Sequence, residues 1–256
     1  MFPLRDDNPT FSTSVVTFLI IGLNAAAWIF VQGLGSDLSL AASICRYGLI
    51  PGELLGTLEP GTRVPLGEGL ACVLAADASV GSVISSMFMH GGWFHLIGNM
   101  WFLAVFGDNV EDALGTGRFI LFYLMCGIAA AAMQVATDPA SALPMVGASG
   151  AISGVMGAYA VLYPRVPVHV LVFLGILFTR FVVPAYLMLG YWFLIQLLGG
   201  IPALASAAGG TAFWAHVGGF VAGVFLGRLL RHPQRAAAYR SRKGRTAHVV
   251  QRYRTR

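Results

Sequence analysis

Four polar residues interrupt long apolar runs of this chain: His95, Asn99, Ser149 and His216. Polar groups are costly in such surroundings, which makes them functional candidates. Ser149 sits in Gly147-Ala148-Ser149-Gly150, where the glycines let the backbone bend and another chain approach. A serine hydroxyl is a poor nucleophile until a base takes its proton. Histidine titrates near neutrality and is the usual base, which points to His216. Acyl transfer also needs hydrogen-bond donors for a developing oxyanion. The Asn99 amide, the His95 imidazole and the Ser149 backbone N–H at a helix start are donors of that kind. The last acidic residue is Asp138, and the earlier ones fall in loops or at a turn. The chemistry would therefore be a Ser149–His216 dyad without a carboxylate.

Metal chemistry is not expected. His90 and His95 lack the four-residue spacing of a zinc-binding helical pair and have no partner Glu. Cys45, Cys72 and Cys126 form no CxxC or Cys/His cluster, and no cofactor is implied. Cys126 lies in an apolar run and reads as a packing residue. Cys45 and Cys72 share one loop, and spacing alone leaves open whether they are joined.

The elements that must position these residues are membrane helices. Of 256 residues 57% are hydrophobic and 11% charged, with a mean hydropathy of +0.73. Soluble domains carry about 25% charged residues, so a soluble enzyme and a disordered chain are both excluded. Spans of about 20 apolar residues are expected near Val15–Leu34, Gly91–Gly107, Phe119–Ala136, Gly147–Pro164, Val183–Leu198 and Thr211–Leu230. The fold class expected is an all-α polytopic membrane protein with a compact six-helix bundle. Gly35 to Ser82 reads as an outer loop, and Asp108, Glu111, Asp112 and Arg118 as a charged inner turn. Val166–Phe181 is apolar but short. Counted as a span it would make seven; placed at the inner interface it keeps Arg165 and Arg180 inside.

Ten of the 16 Lys/Arg lie between Arg228 and Arg256. By the positive-inside rule that tail is cytoplasmic and in reach of anionic lipid, with no nucleic-acid partner implied. The organisation expected is a cytoplasmic N-terminus over 1–14, a membrane domain over 15–230 and a basic tail over 231–256.

This topology brings the polar residues to one depth. His95 and Asn99, four apart, share a helix face. Asn99 lies ~9 Å in from Trp93 and His216 ~8 Å in from Thr211, at ~1.5 Å per residue. Ser149 to Tyr163 covers only about 22 Å of a ~30 Å core, so Ser149 starts roughly 8 Å below the outer surface. Gly150, Gly154 and Gly157, with Gly219, Gly223 and Gly227, would let two helices approach closely. Asn24 and Ser153 are the other polar groups placed within spans, and His90 sits at an edge.

Taken together, the motifs resemble those of rhomboid intramembrane serine proteases. They are His90-Gly-Gly-Trp-Phe-His95-Leu-Ile-Gly-Asn99-Met, Glu111-Asp-Ala-Leu-Gly-Thr-Gly-Arg118-Phe, Gly147-Ala-Ser149-Gly and Ala-His216-Val-Gly-Gly. The resemblance implies Ser149 as nucleophile, His216 as general base, and His95 and Asn99 as oxyanion donors. It also implies hydrolysis of peptide bonds in or near transmembrane helices of membrane proteins. The gate would be helix five or the segment before it. Two departures stand out. Ser153 occupies a position that is often aromatic and packed on the imidazole, so either another group must hold His216 or the Ser153 hydroxyl helps. Gly81-Ser82 stands where many members have Trp-Arg.

Two other function classes compete. A non-proteolytic relative that binds transmembrane helices would generally lack the serine or the histidine. A transporter would need a polar path across the membrane and often an inverted repeat, and neither is visible.

Overall fold

The computed structural model describes every residue except 68, 76–78, 176, 205–210 and 236–256. Glu68, Asp77 and most of the basic tail thus lie outside the described residues. In chain order the elements are β1 (Phe2–Asp6), α1 (Val15–Phe30), α2 (Asp37–Tyr47), the single turn α3 (Pro51–Leu54), β2 (Arg63–Gly67), β3 (Leu70–Val73) and the single turn α4 (Ser82–Ser85). Then come α5 (Trp93–Leu114), α6 (Thr116–Thr137), α7 (Ser149–Leu162), β4 (Pro167–Leu174), β5 (Leu177–Pro184), α8 (Ala185–Ala203) and α9 (Phe213–Leu229).

The long helices α1 and α5 to α9 alternate in direction. Gln32, just past α1, bonds His90 just before α5, whereas Glu111 near the end of α5 bonds the start of α1. The Tyr163 hydroxyl, just past α7, donates to the Asn109 carbonyl, and Arg118 at the start of α6 donates to the Leu230 carbonyl past α9. The bundle therefore has a Ser149 end and a Glu111 end. Thr116–Thr137 and Ala185–Pro202 are long and apolar enough to cross a membrane. Val15–Phe30, Ser149–Leu162 and Phe213–Leu229 are apolar but shorter. The core between them is packed from Leu103, Phe106, Phe119, Phe122, Tyr159 and Met188, all but inaccessible.

The charged turn expected after Gly107 is instead the last part of α5, which continues to Leu114 and stops at Gly115 (φ 84°). Two of the acids, Glu111 and Asp112, bond the start of α1 and the segment that leads into it. Glu111 accepts the Val16 and Thr17 N–H groups at 3.0 and 2.8 Å, and the Thr17 hydroxyl at 2.8 Å. A carboxylate there satisfies orphan donors at the start of α1 and favours its positive dipole end. Asp112 accepts the Phe11 and Ser12 N–H groups at 2.9 and 3.1 Å and meets Arg235 at 3.3 Å.

The expectation of an all-α fold is too narrow. The chain is mostly helical, but Val166–Phe181 falls largely in the antiparallel β4–β5 hairpin, and β1 adds to β4 in the order β1-β4-β5. The stretch is rich in Val and Phe, which suit a pleated surface, and its period is two: Val168 and Val170 are buried while Pro167 and Phe173 are exposed. Phe2 pairs with Leu171 and Asp6 with Val168. The Phe2 ring lies 5.5 Å from Trp101, whose indole N–H donates to the Pro3 carbonyl at 2.6 Å. The first residues are thus bound along α5. The stretch expected as a loop from Gly35 to Ser82 carries its own structure, a small β2–β3 ribbon tied to α2 by a Cys45–Cys72 disulfide.

Asp6 is the costly member of the Glu111 end. Its carboxylate accepts the Tyr159 hydroxyl and the Asn109 amide, yet burial pushes its pKa up to about 6, with the nearby Asp108 adding to the rise. Unfolded, an Asp titrates at about 3.9. Between those values the folded state binds more protons, so this group's stabilisation is present below about pH 4 and is lost as pH rises through about 6. Asp6→Asn should therefore gain in melting temperature relative to wild type between pH 4 and pH 7 in detergent micelles. A difference that stays flat across that range would remove Asp6 as the source.

Candidate active site

The sequence of α7 and α9 allows contact closer than ordinary side chains permit. A methyl group placed on Gly219 would overlap the Gly150 carbonyl oxygen, and one on Gly223 would overlap the Gly154 carbonyl. On Gly157 it would meet the Phe220 carbonyl. The expected small-residue faces therefore meet backbone to backbone, the way glycine stripes let membrane helices pack. This close approach sets the first pair of side chains. The Ser149 hydroxyl and His216 Nε2 are 2.8 Å apart, although 67 residues separate them in the chain.

Ser149 stands at the first residue of α7, after Gly147 with φ +125°. A side chain on Gly147 would be strained by that φ and would also lie 2.7 Å from His95 Nε2. His95 is oriented from its other nitrogen: the Gly91 N–H donates to Nδ1 at 3.2 Å. A backbone N–H only donates, so in the neutral ring the hydrogen sits on Nε2, on the Gly147 side. The His90 ring packs edge-on against His95 at 5.2 Å. Its backbone is held by the Gln32 side chain, which takes the His90 N–H and donates to its carbonyl, both at 2.8 Å. His90 thus supports the turn that carries His95.

His95, Asn99, Ser149 and His216 all line one cavity of about 560 Å³ at the Ser149 end. Asn99 is 7% exposed, and its amide nitrogen has no hydrogen-bond partner among the described residues. A buried donor left unmade is expensive. Two other polar residues expected within spans serve their own helices. Asn24 donates to the Ile20 carbonyl, and the Ser153 hydroxyl donates to the Ser149 carbonyl at 2.6 Å. Ser153 therefore does not hold His216.

That task falls to α8. His216 Nδ1 lies 2.8 Å from Gln196 Oε1, and the Trp192 ring lies 5.8 Å from the imidazole. The start of α9 is steadied from α6, where Gln134 Oε1 accepts the Ala215 N–H at 3.3 Å. The residue list drawn from sequence omits Gln196. The signal was present, since Gln196 is the sole amide in the expected span Val183–Leu198. No metal-binding group of three His, Cys, Asp or Glu exists among the described residues.

The pattern that defines the rhomboid domain matches residues 77–233, well over half of the chain. The chain belongs to the rhomboid family. All four cavity residues and Gln196 fall inside the match. Among rhomboid relatives, the rhomboid protease GluP of Bacillus subtilis is 33% identical over 159 residues, which is 61% of this chain and 30% of that protein. The putative rhomboid protease YdcA of the same organism is 36% identical over 145 residues, 57% of this chain and 60% of that protein. Rhomboid protein 1, mitochondrial, of Saccharomyces cerevisiae is 31% identical over 152 residues, 57% of this chain and 40% of that protein. The chain thus matches between 30% and 60% of the length of these rhomboid relatives.

The glycine contact can be tested without substrate. Gly219→Ala must push α7 from α9, at a cost of about 1–3 kcal/mol, and should lower the melting temperature in detergent. Gly190→Ala, inside α8 where a methyl meets nothing within 4 Å, should not lower it, since Ala favours helix over Gly. Equal melting of both variants would contradict the backbone contact.

Proposed function

We propose that this rhomboid is an intramembrane serine endopeptidase that cuts peptide bonds in or near transmembrane helices of membrane proteins. The observation that carries the proposal is the 2.8 Å contact between the Ser149 hydroxyl and His216 Nε2 on the wall of a cavity large enough for a peptide segment. Rhomboid relatives bearing the name protease support it.

In the proposed reaction, Ser149 Oγ attacks the scissile carbonyl carbon as His216 Nε2 takes its proton. The negative charge that develops on the carbonyl oxygen is met by the Asn99 amide, His95 Nε2–H and the Ser149 backbone N–H. The tetrahedral intermediate collapses, the C–N bond breaks, and His216 returns the proton to the leaving amine. Water, deprotonated by His216, then attacks the acyl-enzyme ester and releases Ser149. The unpartnered Asn99 donor suits this scheme, because a group without a ground-state partner can spend its bond on the transition state.

The same proposal includes six spans between residues 15 and 230, both termini in the cytoplasm of a bacterial cell, and a cavity that opens outward. Charge supports this orientation: Arg118, Arg165, Arg228 and Arg235 fall toward the Glu111 end, and positive residues are retained inside. The Cys45–Cys72 disulfide is at the Ser149 end, and disulfides persist in oxidising compartments. Substrates would be membrane proteins that enter from the lipid.

The decisive assay is cleavage of a single-span reporter with small residues near its outer end, in proteoliposomes. Wild type should cleave it, and Ser149→Ala and His216→Ala should not. Equal cleavage by all three would sink the assignment. Asn99→Ala should lower kcat on the order of 10²-fold, and an unchanged kcat would remove Asn99 from the oxyanion site.

A further inference from the structure

We propose that Gln196 is a positioning residue, which fixes His216 in the tautomer and orientation that a general base needs. The inference deepens the protease reading and rests on it. It begins from the two ring nitrogens of His216. Nε2 faces the Ser149 hydroxyl at 2.8 Å and Nδ1 faces the Gln196 side chain at 2.8 Å.

Which end of the Gln196 amide meets the ring is decided by its other neighbour. The amide nitrogen reaches the Trp192 carbonyl, one helical turn earlier, at 3.4 Å. A carbonyl only accepts, so the NH₂ group belongs on that side and Oε1 belongs on the imidazole. Oε1 in turn only accepts, so Nδ1 must carry the hydrogen. The lone pair of the neutral ring is then on Nε2, facing the hydroxyl whose proton it must take. An amide turned the other way would put the hydrogen on Nε2 and leave Ser149 without a base.

Gln196 is well placed to hold this arrangement. It is 7% exposed, so water does not compete for Nδ1. Trp192, on the same face of α8, lies against the imidazole and restricts its tilt. The groups around His216 can be named from each neighbouring element. They are Ser149 from α7, Gln134 near the start of α9 from α6, Trp192 and Gln196 from α8, and His95 across the cavity from α5. None is a carboxylate, and the Asp and Glu of α5 lie at the far end of the bundle. A neutral amide thus takes the orienting role that a carboxylate has in a triad. It avoids the desolvation cost of a buried charge. Both orienting contacts come from α8, so the seating of α8 against α9 becomes a condition for the base to act.

The test uses the full chain in proteoliposomes and the single-span reporter, with kcat and KM measured across pH. Gln196→Met keeps the volume and removes the strong acceptor. It should lower kcat by about 10- to 100-fold, with KM and the melting temperature near those of wild type. Gln196→Glu restores an acceptor and adds a charge that favours imidazolium. It should recover much of the kcat lost in the Met variant. The base acts only when neutral, so the acidic limb of kcat/KM should move to higher pH by about one unit. Wild-type kcat and an unmoved pH profile in both variants would overturn the proposal. So would activity that falls only in step with melting temperature. Ser149→Ala in the same series separates the two levels: if it cleaves like wild type, the protease reading itself fails, whereas an inactive Ser149→Ala beside a fully active Gln196→Met refutes the Gln196 role alone.

Discussion

Two helix backbones touch where α7 crosses α9, and the site depends on that touch. Gly150 and Gly154 present their carbonyls to Gly219 and Gly223, leaving no room for side chains between them. Helices normally pack 8–10 Å apart, at a distance set by the side chains at the contact. With side chains removed, the two chains come close enough for a short serine to reach a histidine on the other helix. Tertiary packing also limits how these groups can move. Ser149 is fixed by the start of α7, and His216 by the register of α9 against it. A change of one methyl group in the seam is felt at the hydroxyl because the interior is close-packed and transmits strain.

Polar groups in this apolar chain are mostly matched locally or across one helix contact. Glu111 and Asp112 bind the segment leading into α1, Arg118 binds the carbonyl beyond α9, and Gln32 holds the backbone of His90. The Glu111 and Gln32 bonds spare buried donors and acceptors from standing alone, which in a low-dielectric setting is severe. Several buried polar atoms among the described residues have no such partner, and the Asn99 amide nitrogen is one that lines the cavity. The two histidines of the cavity are each oriented from Nδ1, by a backbone donor at His95 and by a side-chain acceptor at His216. The opposite chemistry of those partners gives the rings opposite tautomers, one with a hydrogen on Nε2 and one with a lone pair there.

The three-stranded sheet shows how a membrane-type sequence can depart from helix. Val168 and Val170 face the core while Phe173, Phe178 and Phe181 are exposed. The pairing with β1 ties the chain's first residues to α5, so the N-terminal segment is structurally part of the bundle. Asp6 is carried into a buried position by that pairing and bears the electrostatic cost there.

Sequence by itself singled out His95, Asn99, Ser149 and His216 as candidates and said how far along each helix they stand. Rise per residue is a local property, so the depths of Asn99, Ser149 and His216 follow from spacing once the helix starts are known. The glycine stripes were equally readable, because a four-residue repeat is a local pattern. Tertiary structure alone decided what each group faces. Gln196 lies 20 residues from His216 on a different helix, and nothing in the spacing of either says that their faces meet. The same holds for the β1–β4 pairing, where Phe2 meets Leu171, and for Glu111, whose partners lie 94 and 95 residues away. Helical register is fixed by bonds between near neighbours, while partner choice is fixed by how whole elements pack, and only the second requires the fold.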